Sequence, residues 1–150
     1  MFDNEIKLLK KDILSRLGED KTLYVDFEGE KCTICEVDYR GWFHLDNGAI
    51  TGVVNLKPYL RSISSMTEEE YEELWRICDF RVTSDDYDYF DRYGIQIIQE
   101  INNNKGNHQN LSIDFSDFEN LADWLDSNFF DWRGLIPLDL ALEATDGMYK

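Results

Sequence analysis

The sequence predicts an α+β protein: an N-terminal helix, a four-stranded antiparallel meander or small SH3-like barrel, and then a helical, acidic half. Three observations predict it. Ile6, Leu9, Ile13, Leu14 and Leu17 recur at helical spacing, whereas Leu23, Val25 and Phe27 alternate with polar residues as a half-buried strand does. Thr67 and Glu70 then stand at capping-box spacing ahead of a second helical pattern. Finally, the formal charge of −16 is regional: residues 1–66 carry 11 acids and 9 bases, residues 67–131 carry 17 and 4, and residues 132–150 carry 3 and 2. With 150 residues, 43% of them hydrophobic, the chain suits one core better than two, so a single domain over 1–150 is expected. Its strand-rich half would be 1–66, its acidic helical half 67–131 and its packed tail 132–150.

The first helix should cover residues 3–17, with Lys7, Lys10, Lys11 and Asp12 in water and Gly18 as its stop. Glu28-Gly29-Glu30 turns the first strand into a second, from Cys32 to about Tyr39. Trp42, Phe43 and Leu45 form the third, and Asp46-Asn47-Gly48 joins it to a fourth over Ala49 to Leu56, because Asn-Gly supplies positive φ angles. Pro58 lacks a backbone donor and should end the sheet. Such a meander could curl into a barrel, with one open edge covered by a helix.

From Glu68 the second helix would turn Tyr71, Leu74, Trp75 and Cys78 inward and leave Glu69, Glu72, Glu73 and Arg76 in water. Ser84 is placed to cap a third helix with Tyr87, Phe90, Gly94, Ile97, Ile98 and Ile101 inward, although Ile95 and Ile97 also alternate as in a strand. Residues 102–110, NNNKGNHQN, form a polar, glycine-containing loop expected to be mobile. Leu111, Ile113 and Phe115 suggest a short strand. Ser116 and Glu119 repeat the capping box for a helix with Phe118, Leu121, Ala122 and Leu125 inward, ended by Asn128. The apolar tail carries Gly134 and Pro137, so a turn and a short helix folded onto the core are expected.

Composition excludes several functions. Phosphate backbones and anionic membranes attract clustered Lys and Arg, and no such cluster occurs, so neither nucleic acid nor membrane is an expected direct partner; a basic protein is the natural complement. Met1 is followed by Asp3 and Glu5 rather than a basic, apolar leader. The longest apolar stretch, Leu135 to Ala144, is broken by Asp139 and Glu143. With an odd number of cysteines, three, a reducing cytoplasm is expected.

Catalytic and metal signals are weak. Cys32 and Cys35 form the CxxC pair, but residues three apart in a strand point to opposite faces, and Cys78, His44 and His108 supply no second paired motif; structural thiols are the simpler reading. His44 should point away from the Phe43 and Leu45 face, without a partner near in sequence. No glycine-rich phosphate loop, nucleophile elbow or HExxH helix occurs, and no enzyme, cofactor or metal is expected. Counted from Asp86, the run Asp85-Asp86-Tyr87-Asp88-Tyr89-Phe90-Asp91 has Phe90, Asp91 and Ile97 where a calcium loop needs a ligand, a glycine and a bidentate glutamate. It reads as the solvated start of a helix. Acids with interleaved tyrosines also suit a partner's basic cleft, which makes Glu69, Glu72, Glu73, Asp85, Asp86, Tyr87, Asp88 and Asp91 the candidate partner-binding residues. Around Trp132, Asp131 and Arg133 could hold a ligand, but an aromatic anchor with a turn at Gly134 is the plainer reading.

The stretches KPYLRSISSMTEEEYEELW (57–75) and FDWRGLIPLDLALEATDGMYK (130–150) resemble paired motifs in small proteins of phages and mobile elements of Bacteroidetes. In those proteins a version of K-P-Y-L-R-P-L-S-S-M-T-E-E-E precedes a D-Y-R-G-L-I-P ending. This chain differs by Ser62 at the motif proline and Trp132 at the tyrosine, and residues 80–115 have no counterpart. The resemblance implies a mobile-element origin and a host-cell cytoplasmic setting, and carries no catalytic residues with it. The expected function is therefore a non-catalytic acidic protein that binds a basic partner, its concrete form an anti-defence, anti-CRISPR-like inhibitor on the nucleic-acid channel of a host defence enzyme. The alternatives are an adaptor that binds a peptide through a barrel groove, its acidity serving solubility, and an enzyme or metal protein built on the cysteines and histidines.

Overall fold

The computed structural model describes residues 2–18, 22–77 and 115–149. Two compact units divide the chain, one formed by residues 1–60 with 135–150 and the other by residues 61–134. Helix and sheet both occur, so the protein is α+β.

The first unit opens with α1 (Asp3–Arg16), whose first turn carries Asp3 and Glu5 and whose last carries Arg16, matching the helix dipole. Leu9 and Ile13 are fully buried, while Leu14 and Leu17 are partly exposed. Asp12, expected in water, is also fully buried. It sits one turn before Arg16, whose Nε and Nη2 donate to its two carboxylate oxygens at 2.9 and 2.8 Å, and that fork allows both charges to leave water together.

An open six-stranded sheet follows, ordered β4-β3-β2-β1-β5-β6. Its strands are β1 (Tyr24–Phe27), β2 (Glu30–Val37), β3 (Phe43–Leu45), β4 (Ile50–Thr51), β5 (Leu56–Leu60) and β6 (Leu142–Glu143). The β1–β2 turn falls at Glu28-Gly29, as expected, and both residues take positive φ. The β3–β4 hairpin falls at Asp46–Gly48, but only Gly48 among them has positive φ: Leu45 accepts from Gly48 and donates to Ala49, which makes a three-residue loop closed by a left-handed glycine.

The expected fourth strand is divided. A 3-10 turn at Val53–Asn55 separates β4 from β5, and β5 crosses to pair with β1. Pro58 does not end the sheet but lies buried inside β5, opposite Val25. Pairing with β6 begins only at Tyr59, so a residue without an N–H is tolerated one position earlier.

The tail folds back, as turns and a strand rather than a helix. Positive φ at Gly134, Asp139 and Gly147 interrupts helical geometry, and β6 runs parallel to β5. Tyr149 completes the unit: its hydroxyl donates to the Tyr59 carbonyl at 2.7 Å and accepts from the Tyr24 amide at 3.1 Å. Burial pushes its ionisation up.

The second unit contains α2 (Glu68–Ile77) and α3 (Phe115–Ser127), which pack on one another. The capping box forms as expected, with Glu70 N donating to Thr67 Oγ1 and Thr67 N to Glu70 Oε1, each at 3.1 Å. Leu74 is buried beneath α2, and Leu121, Trp124 and Leu125 beneath α3. Phe115, expected in a strand, is helical, so Ser116 lies inside α3 rather than at its cap. Asn128 and a left-handed Phe129 end that helix. The expected strand residues Leu111 and Ile113, the helix after Ser84 and the loop 102–110 lie outside the described residues.

Candidate functional site

In the second unit the expected acidic surface divides by side-chain partner. Glu70 turns toward Arg61, which donates from Nη1 and Nη2 to its two oxygens at 2.7 Å each. Partial burial raises the Glu70 carboxyl, but the Arg61 fork and the Thr67 amide outweigh it and hold the group below its ordinary value. Arg61 also stacks on Phe130 at 4.2 Å. Glu68, Glu69, Glu72 and Glu73 are exposed on α2, as are Glu119 and Asp123 on α3.

A second arginine of this unit is internal too. Arg133 donates from Nη1 and Nη2 to Asp126 at 2.8 and 3.1 Å, and Trp132 Nε1 donates to the same carboxylate at 2.8 Å. All three residues are buried, with the guanidinium stacked 4.1 Å from the Trp132 ring. Asp131, Trp132 and Arg133 thus anchor the turn, and Gly134, at φ 76°, lets the chain leave it. Of the expected partner-binding residues, Glu69, Glu72 and Glu73 share α2; Asp85, Asp86, Tyr87, Asp88 and Asp91 lie outside the described residues.

The first unit holds a second constellation. Between Ile34 and Glu36 the β2 register slips by one residue at Cys35. Without that bulge Cys35 would oppose His44; with it Glu36 opposes His44 and Val37 opposes Phe43. The change of parity brings Glu36 and Asp38 onto the solvent face with His44 and Trp42. Ile50 opposes His44 from β4, and the Trp42 indole lies beside Gly52, where an added Cβ would come within 4.0 Å of it.

His44 consequently has partners. Its Nε2 lies 2.9 Å from Asp38 Oδ2 and its Nδ1 3.5 Å from Glu36 Oε1. Asp38 also accepts the backbone N–H groups of Arg40 and Trp42 at 2.9 and 3.1 Å. The His44 bond, followed by these amides, holds its carboxyl at about 2, below the ordinary 3.8. Tyr39, Trp42 and Ile50 are exposed around this group. Asp38 and Gly41 were a readable turn signal that could have placed Trp42 across from Asp38. The bulge at Cys35 had no such signal.

Cys32 is buried and Cys35, at the bulge, is exposed; Cys78 and His108 lie outside the described residues. Burial raises the Cys32 thiol, with Glu30 adding to the effect. Among the described residues no three His, Cys, Asp or Glu side chains converge as a metal site, and no helix is long and apolar enough to cross a membrane. A cleft of about 370 Å³ between the end of α1 and β2 is lined by Leu17, Thr22, Ile34, Cys35 and Glu36 among others, and brings together one thiol and one carboxylate. No protein-family model, curated protein or solved structure matches the chain.

Proposed function

We infer that the chain is a non-catalytic acidic binding protein that occupies a basic, nucleic-acid-binding surface of a partner protein. One observation carries the reading: Arg61 and Arg133 turn inward onto Glu70 and Asp126, while Glu68, Glu69, Glu72 and Glu73 of α2 and Glu119 and Asp123 of α3 are exposed. Glu68 and Glu69 serve the positive end of α2, whereas Glu72 and Glu73 lie beyond its first turn, four and three residues before Arg76. Residues 68–73 span about 7.5 Å of helix axis, so their four exposed carboxylates average about 2.5 Å apart along it, the same order as the ~1.7 Å per charge of duplex DNA. Such a face can displace nucleic acid by charge alone.

The resemblance of residues 57–75 and 130–150 to phage and mobile-element proteins supports an anti-defence inhibitor in the cytoplasm of a host cell as the concrete form. The test is competition. A captured partner should release labelled nucleic acid when the wild-type chain is added and retain it when Glu69→Lys, Glu72→Lys and Glu73→Lys are combined. Release by both chains, or a complex unmoved by salt, would remove the electrostatic reading.

A second reading has one observation in its favour: Trp42 is 45% exposed on an open sheet, which suits an adaptor whose groove or barrel edge binds a peptide. A salt-indifferent complex lost on Trp42→Ala, with the α2 reversal tolerated, would select it.

A further inference from the structure

We propose that the outer face of β2, β3 and β4 is a binding site for a lysine or arginine side chain carried on an extended segment of a partner protein, with Trp42 as its stacking platform and Glu36 as its counter-charge.

The bulge at Cys35 builds the site by aligning Glu36, His44 and Ile50 in one row across three strands, with Asp38 and Trp42 in the next. These side chains are not equally available. Asp38, 15% exposed, accepts from His44 and from two backbone amides, so it is fixed and serves to hold the turn. Glu36 is 66% exposed, and one of its oxygens lies 3.5 Å from His44 Nδ1. The other is open to an incoming donor.

Trp42 supplies the second half. One edge of its indole lies near Gly52, and its backbone N–H donates to Asp38 Oδ1. An exposed indole on the same sheet face as an exposed carboxylate is what an ammonium or guanidinium recognises: the ring face attracts the cation, the ring and the exposed Ile50 accept its aliphatic stem, and the carboxylate supplies charge. The neighbouring turn shows the same chemistry within the chain, where the Arg40 guanidinium lies 5.6 Å from the Tyr39 ring and 3.4 Å from Asp38. The apolar Ile50 beside the acid favours an alternating basic and apolar segment over a purely polybasic one.

This site stands on the first unit alone and does not depend on the α2 reading. The experiment is a titration of the isotope-labelled full chain with acetyl-Val-Lys-Val-Lys-Val-amide, followed by amide and indole resonances and repeated in the Glu69→Lys, Glu72→Lys, Glu73→Lys background. Saturable shifts are expected at the Trp42 indole N–H, His44 and Ile50 in both backgrounds, and none with acetyl-Val-Glu-Val-Glu-Val-amide. Trp42→Ala should weaken binding about fivefold to tenfold and Trp42→Phe less, as loss of a cation–π contact requires. Glu36→Gln, which leaves the strand intact, should weaken it roughly twofold to fivefold. The site is overturned if the shifts are confined to α2, if no shift saturates, or if a folded Trp42→Ala chain binds as wild type.

Discussion

Replacing Asp126 by alanine should be among the most damaging single changes in the second unit. The carboxylate accepts three hydrogen bonds, from Trp132 Nε1 and from Nη1 and Nη2 of Arg133, and the Arg133 side chain is only 7% exposed. Truncation takes two hydrogen bonds from that buried guanidinium and one from the indole N–H. Breaking a buried pair from one side costs about 3–5 kcal/mol, against a total stability of about 5–15 kcal/mol for a domain. At roughly 2–4 °C per kcal/mol, Tm should fall by about 6–20 °C. Asp126→Asn keeps an oxygen for the indole and should lose less. Asp123, one turn earlier on α3 and exposed, is the control, because its alanine variant should stay within about 0.5 kcal/mol. Urea unfolding of the three variants, followed by tryptophan fluorescence and circular dichroism, measures these differences. A loss below about 1 kcal/mol for Asp126→Ala, or one equal to Asp123→Ala, would refute a structural role for the buried pair.

Other expectations follow from the same geometry. Thr67→Ala removes one arm of the α2 capping box and should cost about 1 kcal/mol in urea unfolding. Glu70→Gln keeps the helix but loses the partly exposed Arg61 fork, for about 1–2 kcal/mol, and a double-mutant cycle with Arg61→Met should show coupling. Because the Asp38 carboxyl is lowered from 3.8 to about 2, its contribution is fully present above pH 3.8 and is lost as pH falls through 2; Asp38→Asn should flatten stability across that acidic window. Tyr149→Phe deletes the hydroxyl that joins the backbones of β1 and β5 and should cost about 1–2 kcal/mol. In alkaline spectrophotometric titration the wild type should retain a late-titrating tyrosine that the variant lacks.

Local signals were legible where one short stretch determines the geometry. Thr67 and Glu70 marked the start of α2 because both halves of the cap lie within four residues, and Glu28-Gly29 marked its turn because few residues accept positive φ. Long-range pairing was not legible. Pro58 argued against a strand, yet β5 persists because β1 and the distant β6 flank it, and no local rule reports a neighbour that arrives from residue 142. The tail is no helix for a related reason: residues 135–140 close local turns on Leu135 and Ile136, and beyond them Ala144 N donates to Leu60 O of β5. Polar residues were the other source of error. Asp12 read as solvent-facing because its position on the helix is polar, and only its pairing with Arg16 allows it inside. The Glu36, Asp38, His44 and Trp42 face was hidden by one bulge that changes the parity of a strand. The α2 acids were legible as a surface because charge needs no tertiary information to be counted; that Arg61 and Arg133 would face inward was not.

The most direct measurement is affinity capture from the lysate of a cell that expresses the chain, with the tagged wild type beside the combined Glu69→Lys, Glu72→Lys and Glu73→Lys chain, each eluted on a salt gradient. The reversal should fold as the wild type does, since exposed charges contribute little to stability. The expected result is a basic nucleic-acid-binding protein that elutes with salt, is missing from the reversal and loses its nucleic acid to the wild-type chain. A partner retained equally by both chains at high salt would contradict the account.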